Sequence, residues 1–236
     1  MNNVISVFGS LTDTYTGLKA ERLARQFSHL NRNKSVLFIS PEMDKRASTG
    51  LWTAFDVNIE FGYDPIRPMH VSVPVTHDEY ESNLYHLNLG REYYQGQFTP
   101  DAVERVVNGL ANRFDYVICD AGVRIEKPLS LGALFSSEHT IFVLNHTKAS
   151  VERYKWYAPI LNKLHINIDS FIIDIGRNKP EYDLSDISGD YALGKDTAVV
   201  LLDGNDDTAK FYELACRLDS QIETARQPVV ADRGDR

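Results

Sequence analysis

The sequence is poor in cysteine, which excludes sites and scaffolds that depend on several thiols. Only Cys119 and Cys216 occur, each within an apolar pattern. A disulfide framework or a structural zinc site needs a spaced set of thiol or imidazole ligands. The histidines also lack the spacing of metal ligands, and no Gly-x-Ser-x-Gly motif marks a serine nucleophile. We therefore expect no metal site.

Long hydrophobic runs and an excess of positive charge are lacking as well. No apolar run approaches the roughly 20 residues that a transmembrane helix needs, and the amino terminus does not resemble a signal peptide. The formal net charge of −8 argues against direct DNA binding, because binding through general basicity needs a surplus of lysine and arginine. We expect a cytoplasmic protein that reaches a membrane only indirectly, through a partner.

What the chain does contain is an alternation of short apolar runs with amphipathic segments. Its 236 residues are 43% hydrophobic, enough for the core of one large α/β domain. Several runs are continuously apolar, which is typical of strands buried on both faces. The pattern predicts an α/β fold with a mostly parallel central sheet and helices on both faces. The expected strands are residues 4–8, 36–39, 116–119, 140–144, 171–173 and 198–202, with the first and third adjacent at the centre.

Four amphipathic segments predict helices, because their apolar residues recur at helical spacing. The apolar faces are Leu23, Phe27 and Leu30; Val103, Val106, Val107 and Leu110; Trp156, Ile160 and Leu164; and Phe211, Leu214, Ala215 and Leu218.

Two parts of the chain depart from this alternation. Residues 47–96 are rich in tyrosine, histidine and proline, and we interpret them as a helical insertion with a helix over 79–94 and an edge strand over 69–75. Beyond about Gln221 the apolar periodicity ends, which predicts a disordered tail over residues 221–236. Residues 1–220 are expected to form a single domain.

The start of the chain resembles the ParA/MinD family of P-loop ATPases, a family of the SIMIBI class. Residues 4–10 read Val-Ile-Ser-Val-Phe-Gly-Ser and precede an amphipathic helix, as in the family's order of strand, glycine-rich loop and helix. Further segments match in the same order at 35–42, 114–122 and 171–174, so the resemblance covers about residues 3–220. It implies a P-loop NTPase-like fold.

The loop departs from the family pattern at the positions that bind nucleotide. The phosphate-binding lysine corresponds to Thr16, and the two hydroxyl positions correspond to Gly17 and Leu18. Glycines let backbone N–H groups curl around the phosphates while the lysine neutralises them. Lys19 does not fit the role of that lysine, because the pattern would then need a glycine at 18 and a hydroxyl at 20. The other replacements are Leu11 for the signature lysine and Thr12, Asp13 and Tyr15 for glycines.

Three other nucleotide motifs of the family are matched in part. Asp120 and Gly122 fall in the Walker B match, whose aspartate orients magnesium; the alternative is that Asp120 caps the loop after its strand. Glu42 falls where an aspartate positions the attacking water, and the alternative is a solvated carboxylate. Asp174 falls where an asparagine reads the adenine edge, but it lacks that amide's paired donor and acceptor.

These departures imply a vestigial nucleotide cleft without catalytic residues, cofactor or metal. The resemblance is to degenerate, CpaE/TadZ-like localisation proteins, so we expect a pseudo-ATPase that serves as a binding or localisation scaffold, recruited to a membrane or cell pole by a partner. The alternative is an active positioning or partition ATPase that binds ATP and Mg through an unusual loop. The cleft is assigned to Gly9, Ser10, Thr16, Gly17, Glu42, Asp120, Gly122 and Asp174.

The larger side chains of the loop indicate a protein–protein interface. Leu11, Thr12, Thr14 and Tyr15 stand in place of a glycine-rich cradle, and tyrosine is favoured at interfaces. We expect a homodimer, a pairing with a related ATPase, or contact with another protein partner. The alternative is that Tyr15 plugs the empty cleft of its own domain.

Overall fold

A computed structural model of the chain describes residues 3–40, 52–61, 69–88, 99–176, 197–204 and 207–226. The described residues form one nine-stranded sheet. Its strands are β1 (Val4–Gly9), β2 (Val36–Ser40), β3 (Trp52–Phe61), β4 (Met69–His77), β5 (Leu84–Asn88), β6 (Tyr116–Gly122), β7 (His139–Asn145), β8 (Ser170–Asp174) and β9 (Ala198–Leu202).

The order of the strands confirms the predicted sheet. It runs β3-β4-β5-β2-β6-β1-β7-β8-β9, and every neighbouring pair from β5 to β9 is parallel. β1 lies directly beside β6, with Val4 opposite Val117, so the first and third predicted strands are adjacent at the centre. Parallel neighbours need crossover connections, which the intervening helices supply.

Helices cover both faces of the sheet, as predicted. They are α1 (Thr16–Leu30), α2 (Pro100–Ala111), α3 (Pro128–Ser136), α4 (Lys148–Lys163) and α5 (Asp207–Arg226). Successive residues of a strand point to opposite faces, so Ile5 and Val7 of β1 join the core under α1 and α5, while Val4 and Phe8 join the core under α2, α3 and α4. Within the described residues, no helix is both long and apolar enough to span a bilayer.

The predicted helical insertion is wrong for the residues that the structure describes. β3 and β4 form an antiparallel hairpin, β4 pairs antiparallel with β5, and β5 continues the parallel sheet beside β2. Leu84 and Leu87 are fully buried in β5, where residues 79–94 were expected to be helical. The expected edge strand is β4, which lies inside the sheet because β3 forms the edge. Residues 89–94 lie outside the described residues.

Two details of the predicted helices are also wrong. α4 buries Tyr154, Tyr157 and Leu161, whereas Trp156, predicted to face the core, is 53% exposed. The buried face of α4 therefore lies on a different side of the helix from the predicted one, because the prediction did not include the tyrosines among the buried residues. α5 continues to Arg226 with Ile222 fully buried, so the tail does not begin at 221; residues 227–236 lie outside the described residues.

A buried carboxylate fixes α1 to the connection between β4 and β5. Asp78 accepts hydrogen bonds from Nε2 of His86 at 2.8 Å, from Arg25 at 3.0 and 3.3 Å, and from the backbone N–H groups of Tyr80 and Glu81. Burial alone would raise the pKa of Asp78, but these hydrogen bonds and the charge of Arg25 hold it well below its ordinary value. The carboxylate is thus charged and saturated with donors in the folded protein.

Close packing between α2 and α3 depends on one glycine. A Cβ on Gly132 of α3 would lie 2.6 Å from the carbonyl oxygen of Pro100 and would collide with Val103 of α2. Gly109, within α2, has no atom within 4 Å of the same hypothetical Cβ. The first glycine is required by packing, and the second is not.

Candidate functional site

The predicted cleft residues come together where the central parallel strands end. Gly9 is the last residue of β1, Gly122 of β6 and Asp174 of β8. Because the carboxyl ends of neighbouring parallel strands lie at one edge of the sheet, the segment between β1 and α1 shares this edge with the ends of β6 and β8. Glu42 lies outside the described residues.

The loop between β1 and α1 is folded back onto β1. A Cβ on Gly9 would collide with the hydroxyl groups of Thr14 and Thr16, so both side chains lie directly against the last residue of the strand. Oγ1 of Thr14 also donates to the carbonyl of Leu11 at 2.5 Å and lies 3.0 Å from Oγ1 of Thr16. At this position, where a glycine-rich loop approaches phosphate, the chain places two of its own hydroxyls.

Three backbone N–H groups of the loop are paired within the chain. Ser10 donates to the carbonyl of Val143 at 3.0 Å, Thr14 to that of Leu11 at 3.1 Å, and Tyr15 to that of Thr12 at 3.4 Å. A phosphate-binding loop works by leaving such N–H groups free to point at the anion. Here three of them are satisfied without a ligand.

Lys19 provides the cation of this region, and its position was missed by sequence reasoning. Its Nζ donates to the carbonyl of Thr14 at 2.7 Å and to Oδ2 of Asp174 at 2.8 Å, and the residue is only 4% exposed. The ion pair thereby joins the loop, α1 and the end of β8. A signal existed in the sequence, because Lys19 lies four and eight residues before Leu23 and Phe27, on the buried stripe of α1.

Asp120 lies beside the amino end of α1. A Cβ on Gly17 would come within 2.7 Å of Oδ2 of Asp120, so the glycine leaves room for the carboxylate at the positive end of the helix dipole. Oδ1 of Asp120 accepts a hydrogen bond from the N–H of Gly122 at 2.9 Å, and Gly122 has a left-handed φ of +66°. This is the local geometry expected if Asp120 caps the turn after its strand.

Ser10 connects the loop to the next element along the sheet. Its hydroxyl lies 2.6 Å from Oγ of Ser150 near the start of α4, and Ser150 accepts a hydrogen bond from the N–H of Asn145 at 2.9 Å. Both serines are buried. The first residue of the loop is therefore fixed by β7 and α4 as well as by β1.

The residues predicted to form an interface divide into exposed and buried ones. Tyr15 is 65% exposed, so it does not plug the cleft, and its backbone is left-handed with φ 48° and ψ 49°. Thr12 is exposed and Leu11 is half-buried. Thr14 is completely buried, which removes it from any interface, because its hydroxyl is used inside the loop. Leu18, in the first turn of α1, is 50% exposed and was not among the residues predicted to form the interface.

The described residues do not fit a bound Mg-nucleotide. The resemblance aligns the phosphate-binding lysine with Thr16, which is buried, and the metal-binding hydroxyls with Gly17 and Leu18, which carry no hydroxyl. Lys19, the buried Lys or Arg side chain among the described residues, is paired with Asp174 and donates to the loop carbonyl of Thr14. Over the part of the chain that the structure describes, no group of three or more His, Cys, Asp or Glu side chains could hold a metal ion.

No protein-family model and no curated protein matches this chain, but solved structures do. The septum site-determining protein MinD of Pyrococcus horikoshii, solved with Mg-ADP, is 15% identical, with a TM-score of 0.68 over 97% of this chain and 100% of that one. A plasmid partition protein of Borrelia burgdorferi is 14% identical, with a TM-score of 0.60 over 93% and 98%. A ParA family ATPase of Chlorobium tepidum is 12% identical, with a TM-score of 0.59 over 95% and 96%. The chain therefore has the P-loop NTPase fold of MinD and ParA proteins.

Proposed function

We propose that this protein is a catalytically degenerate member of the ParA/MinD type that does not hydrolyse ATP and acts as a binding or localisation scaffold through protein–protein contacts. The observation that carries the proposal is the ion pair between the buried Lys19 and the part-exposed Asp174, together with the bond from Lys19 to the loop carbonyl of Thr14. The loop has a folded, charge-balanced structure that needs no nucleotide.

Phosphoryl transfer is catalysed chiefly by positioning and charge neutralisation. A triphosphate entering this loop would meet the exposed Asp13 and no free ammonium from the loop. At an effective dielectric of about 20, two like charges 4 Å apart repel by about 4 kcal/mol. To recruit Lys19, the ligand would also have to break its pair with Asp174 and leave that carboxylate uncompensated.

The surface offered by the loop supports the scaffold role. A non-glycine residue in the left-handed region costs about 1–2 kcal/mol, and such strain persists where the surrounding structure imposes it, often at functional sites. Here the strained residue is Tyr15, whose ring projects to solvent beside Leu18. We propose that Leu11, Thr12, Tyr15 and Leu18 contact a second copy or a related ATPase, and that recruitment to a membrane or cell pole goes through such a partner.

Thermal unfolding with and without Mg-ATP tests the loss of nucleotide binding. We expect an unchanged midpoint, whereas a nucleotide at 100 times its Kd would add about 2.7 kcal/mol, or about 5–11 °C for a domain of this size. A midpoint shift, or ATP turnover, that is abolished by Asp120→Ala would support the active ATPase instead.

Light scattering on loop variants tests the interface separately. Tyr15→Gly removes the ring and suits the left-handed backbone, so it should fold at least as stably as the parent. We expect Tyr15→Gly and Leu11→Asp to weaken association, and Tyr212→Ala, which removes a 44% exposed tyrosine from α5, to leave it unchanged. A parent that dimerises equally well with both loop variants would place the interface elsewhere.

A further inference from the structure

The outer face of α4 carries an exposed tryptophan stacked with an arginine. Trp156 is 53% exposed, and the guanidinium of Arg153 lies 5.4 Å from the centre of its ring. The same guanidinium lies 5.8 Å from the ring of Tyr157, which packs 4.9 Å from Trp156. Trp and Arg are enriched among the residues that dominate binding energy at protein interfaces.

This aromatic surface is held on a rigid base. Tyr157 is buried, its ring lies 5.1 Å from that of Phe8 in the central strand, and its hydroxyl donates to the carbonyl of Val123 at 2.6 Å. The hydrogen bond joins α4 to the segment that follows β6. A surface fixed in this way loses little conformational entropy when a partner binds.

The charges around Tyr157 include more cations than carboxylates. Arg153, Arg124 and Glu126 act electrostatically on the Tyr157 hydroxyl, and Lys127 acts on Glu126. Arg124 pairs with Glu126 at 2.5 Å, in the segment after β6. A backbone hydrogen bond and the bond from Arg124, with the charges of Arg124 and Lys127, lower the pKa of Glu126 below its ordinary value. Among the described residues, no carboxylate forms an ion pair with Arg153, whereas the adjacent Glu152 pairs with Lys155 at 3.8 Å.

We propose that Arg124, Lys127, Arg153 and Trp156, here called the α4 patch, bind a short acidic segment of a partner protein. The patch is basic on a chain whose formal net charge is −8, so it differs from the protein's overall charge. A short acidic peptide contacts only the local positive surface, and an apolar side chain within it covers the tryptophan. DNA and anionic membranes are extended and densely charged, so they also meet the repulsion of the whole acidic protein.

The α4 patch uses none of the loop residues assigned to the interface above. Binding at the α4 patch therefore does not depend on the proposed function of the loop or on whether the cleft binds a nucleotide.

Fluorescence anisotropy with labelled probes tests the proposal on the full-length chain. The probes are a short peptide that alternates Glu with Leu and Phe, the same peptide with Lys in place of Glu, and a short DNA duplex; vesicles containing phosphatidylglycerol are tested by sedimentation. We expect the acidic peptide alone to bind, with an affinity that falls as salt rises. Trp156→Ala and Arg153→Glu should each weaken binding about tenfold or more.

Matched variants separate the patch from general effects of charge and aromaticity. Tyr212→Ala removes an exposed aromatic ring elsewhere, and Arg22→Glu reverses a half-exposed charge on α1; both should leave peptide binding within about twofold. Arg153→Lys should retain part of the affinity, since it keeps the charge but loses the planar stack. The proposal fails if the acidic peptide does not bind, if its binding ignores Trp156 and Arg153, or if DNA or vesicles bind in its place through these residues.

Discussion

Removing the carboxylate of Asp78 should destabilise the protein far more than removing any surface charge. Its side chain is 3% exposed and accepts bonds from Arg25, His86 and two backbone N–H groups. Asp78→Ala leaves the buried His86 and the part-exposed Arg25 without their acceptor, and breaking a buried ion pair costs about 3–5 kcal/mol. For a protein of this size, that loss lowers the unfolding midpoint by about 6–20 °C.

The matched control is Glu21→Gln, which removes the other carboxylate that pairs with Arg25. That pair is one helical turn apart and about a quarter exposed, so its loss should cost less than about 1 kcal/mol. Urea unfolding measured for the parent, both single variants and the double variant gives each free energy. Equal costs for Asp78→Ala and Glu21→Gln would refute the reasoning, because they would show that burial does not amplify the Asp78 interactions.

The same carboxylate predicts a pH dependence. The folded-state pKa of Asp78 is depressed, so its contribution is present above the unfolded pKa of about 3.9 and is lost as pH falls from there towards the folded pKa. Unfolding of Asp78→Asn should therefore vary less with pH below about 4 than unfolding of the parent. Parallel profiles for the two proteins would contradict the assignment.

Three further outcomes test other parts of the structure by thermal and urea unfolding. Lys19→Met should leave the part-exposed Asp174 without its cation and cost about 1–3 kcal/mol. The double variant with Asp174→Asn should recover part of that loss, and an additive double variant would contradict the pairing. Gly132→Ala should destabilise the protein, because the added methyl group collides with α2, whereas Gly109→Ala should stabilise it by about 0.5–1 kcal/mol. Changes in the free energy of unfolding that have the same sign for both variants would contradict the packing. Burial and the hydrogen bond that the Tyr116 hydroxyl donates to Asp219 of α5 raise the pKa of Tyr116 to about 12. Tyr116→Phe should cost about 1–3 kcal/mol, because it removes this bond to a charged acceptor and the bond that Lys34 donates to the hydroxyl; no loss would contradict the bonds.

The buried strands were predictable because their sequence is apolar without interruption. Runs such as 140–144 leave no polar face for solvent, which only the middle of a covered sheet permits. The strand β5, read as part of a helix, contains Tyr85 and His86 between its leucines, and His86 is buried only because Asp78 supplies its hydrogen bond. Asp78 lies eight residues before His86, on the other side of a turn, so the spacing of apolar residues within β5 does not predict this hydrogen bond.

In the candidate site, too, local sequence patterns predicted some residues, whereas contacts between distant parts of the chain determine the roles of others. Gly9, Gly17 and Asp120 were recognised because their types and order survive in the sequence, and the structure brings them together. Lys19 was missed because its role depends on Asp174, 155 residues further along the chain. Thr14 was misassigned to the surface because a polar residue in a loop is usually exposed, whereas here its hydroxyl closes the loop.

A loop that is complete without a ligand also has a consequence for control. A solute can shift a conformational equilibrium only if it binds one state better than another. The loop from Ser10 to Tyr15 forms bonds to β7, within itself and with Lys19. Under the proposed function, dissolved nucleotide does not bind this loop and therefore does not change its conformation. Tyr15 is then exposed whether or not nucleotide is present, and the fraction of the protein that is bound to a partner depends on the concentrations of the two proteins. Under the proposed function, control rests with synthesis and degradation of the chain and not with the energy charge of the cell.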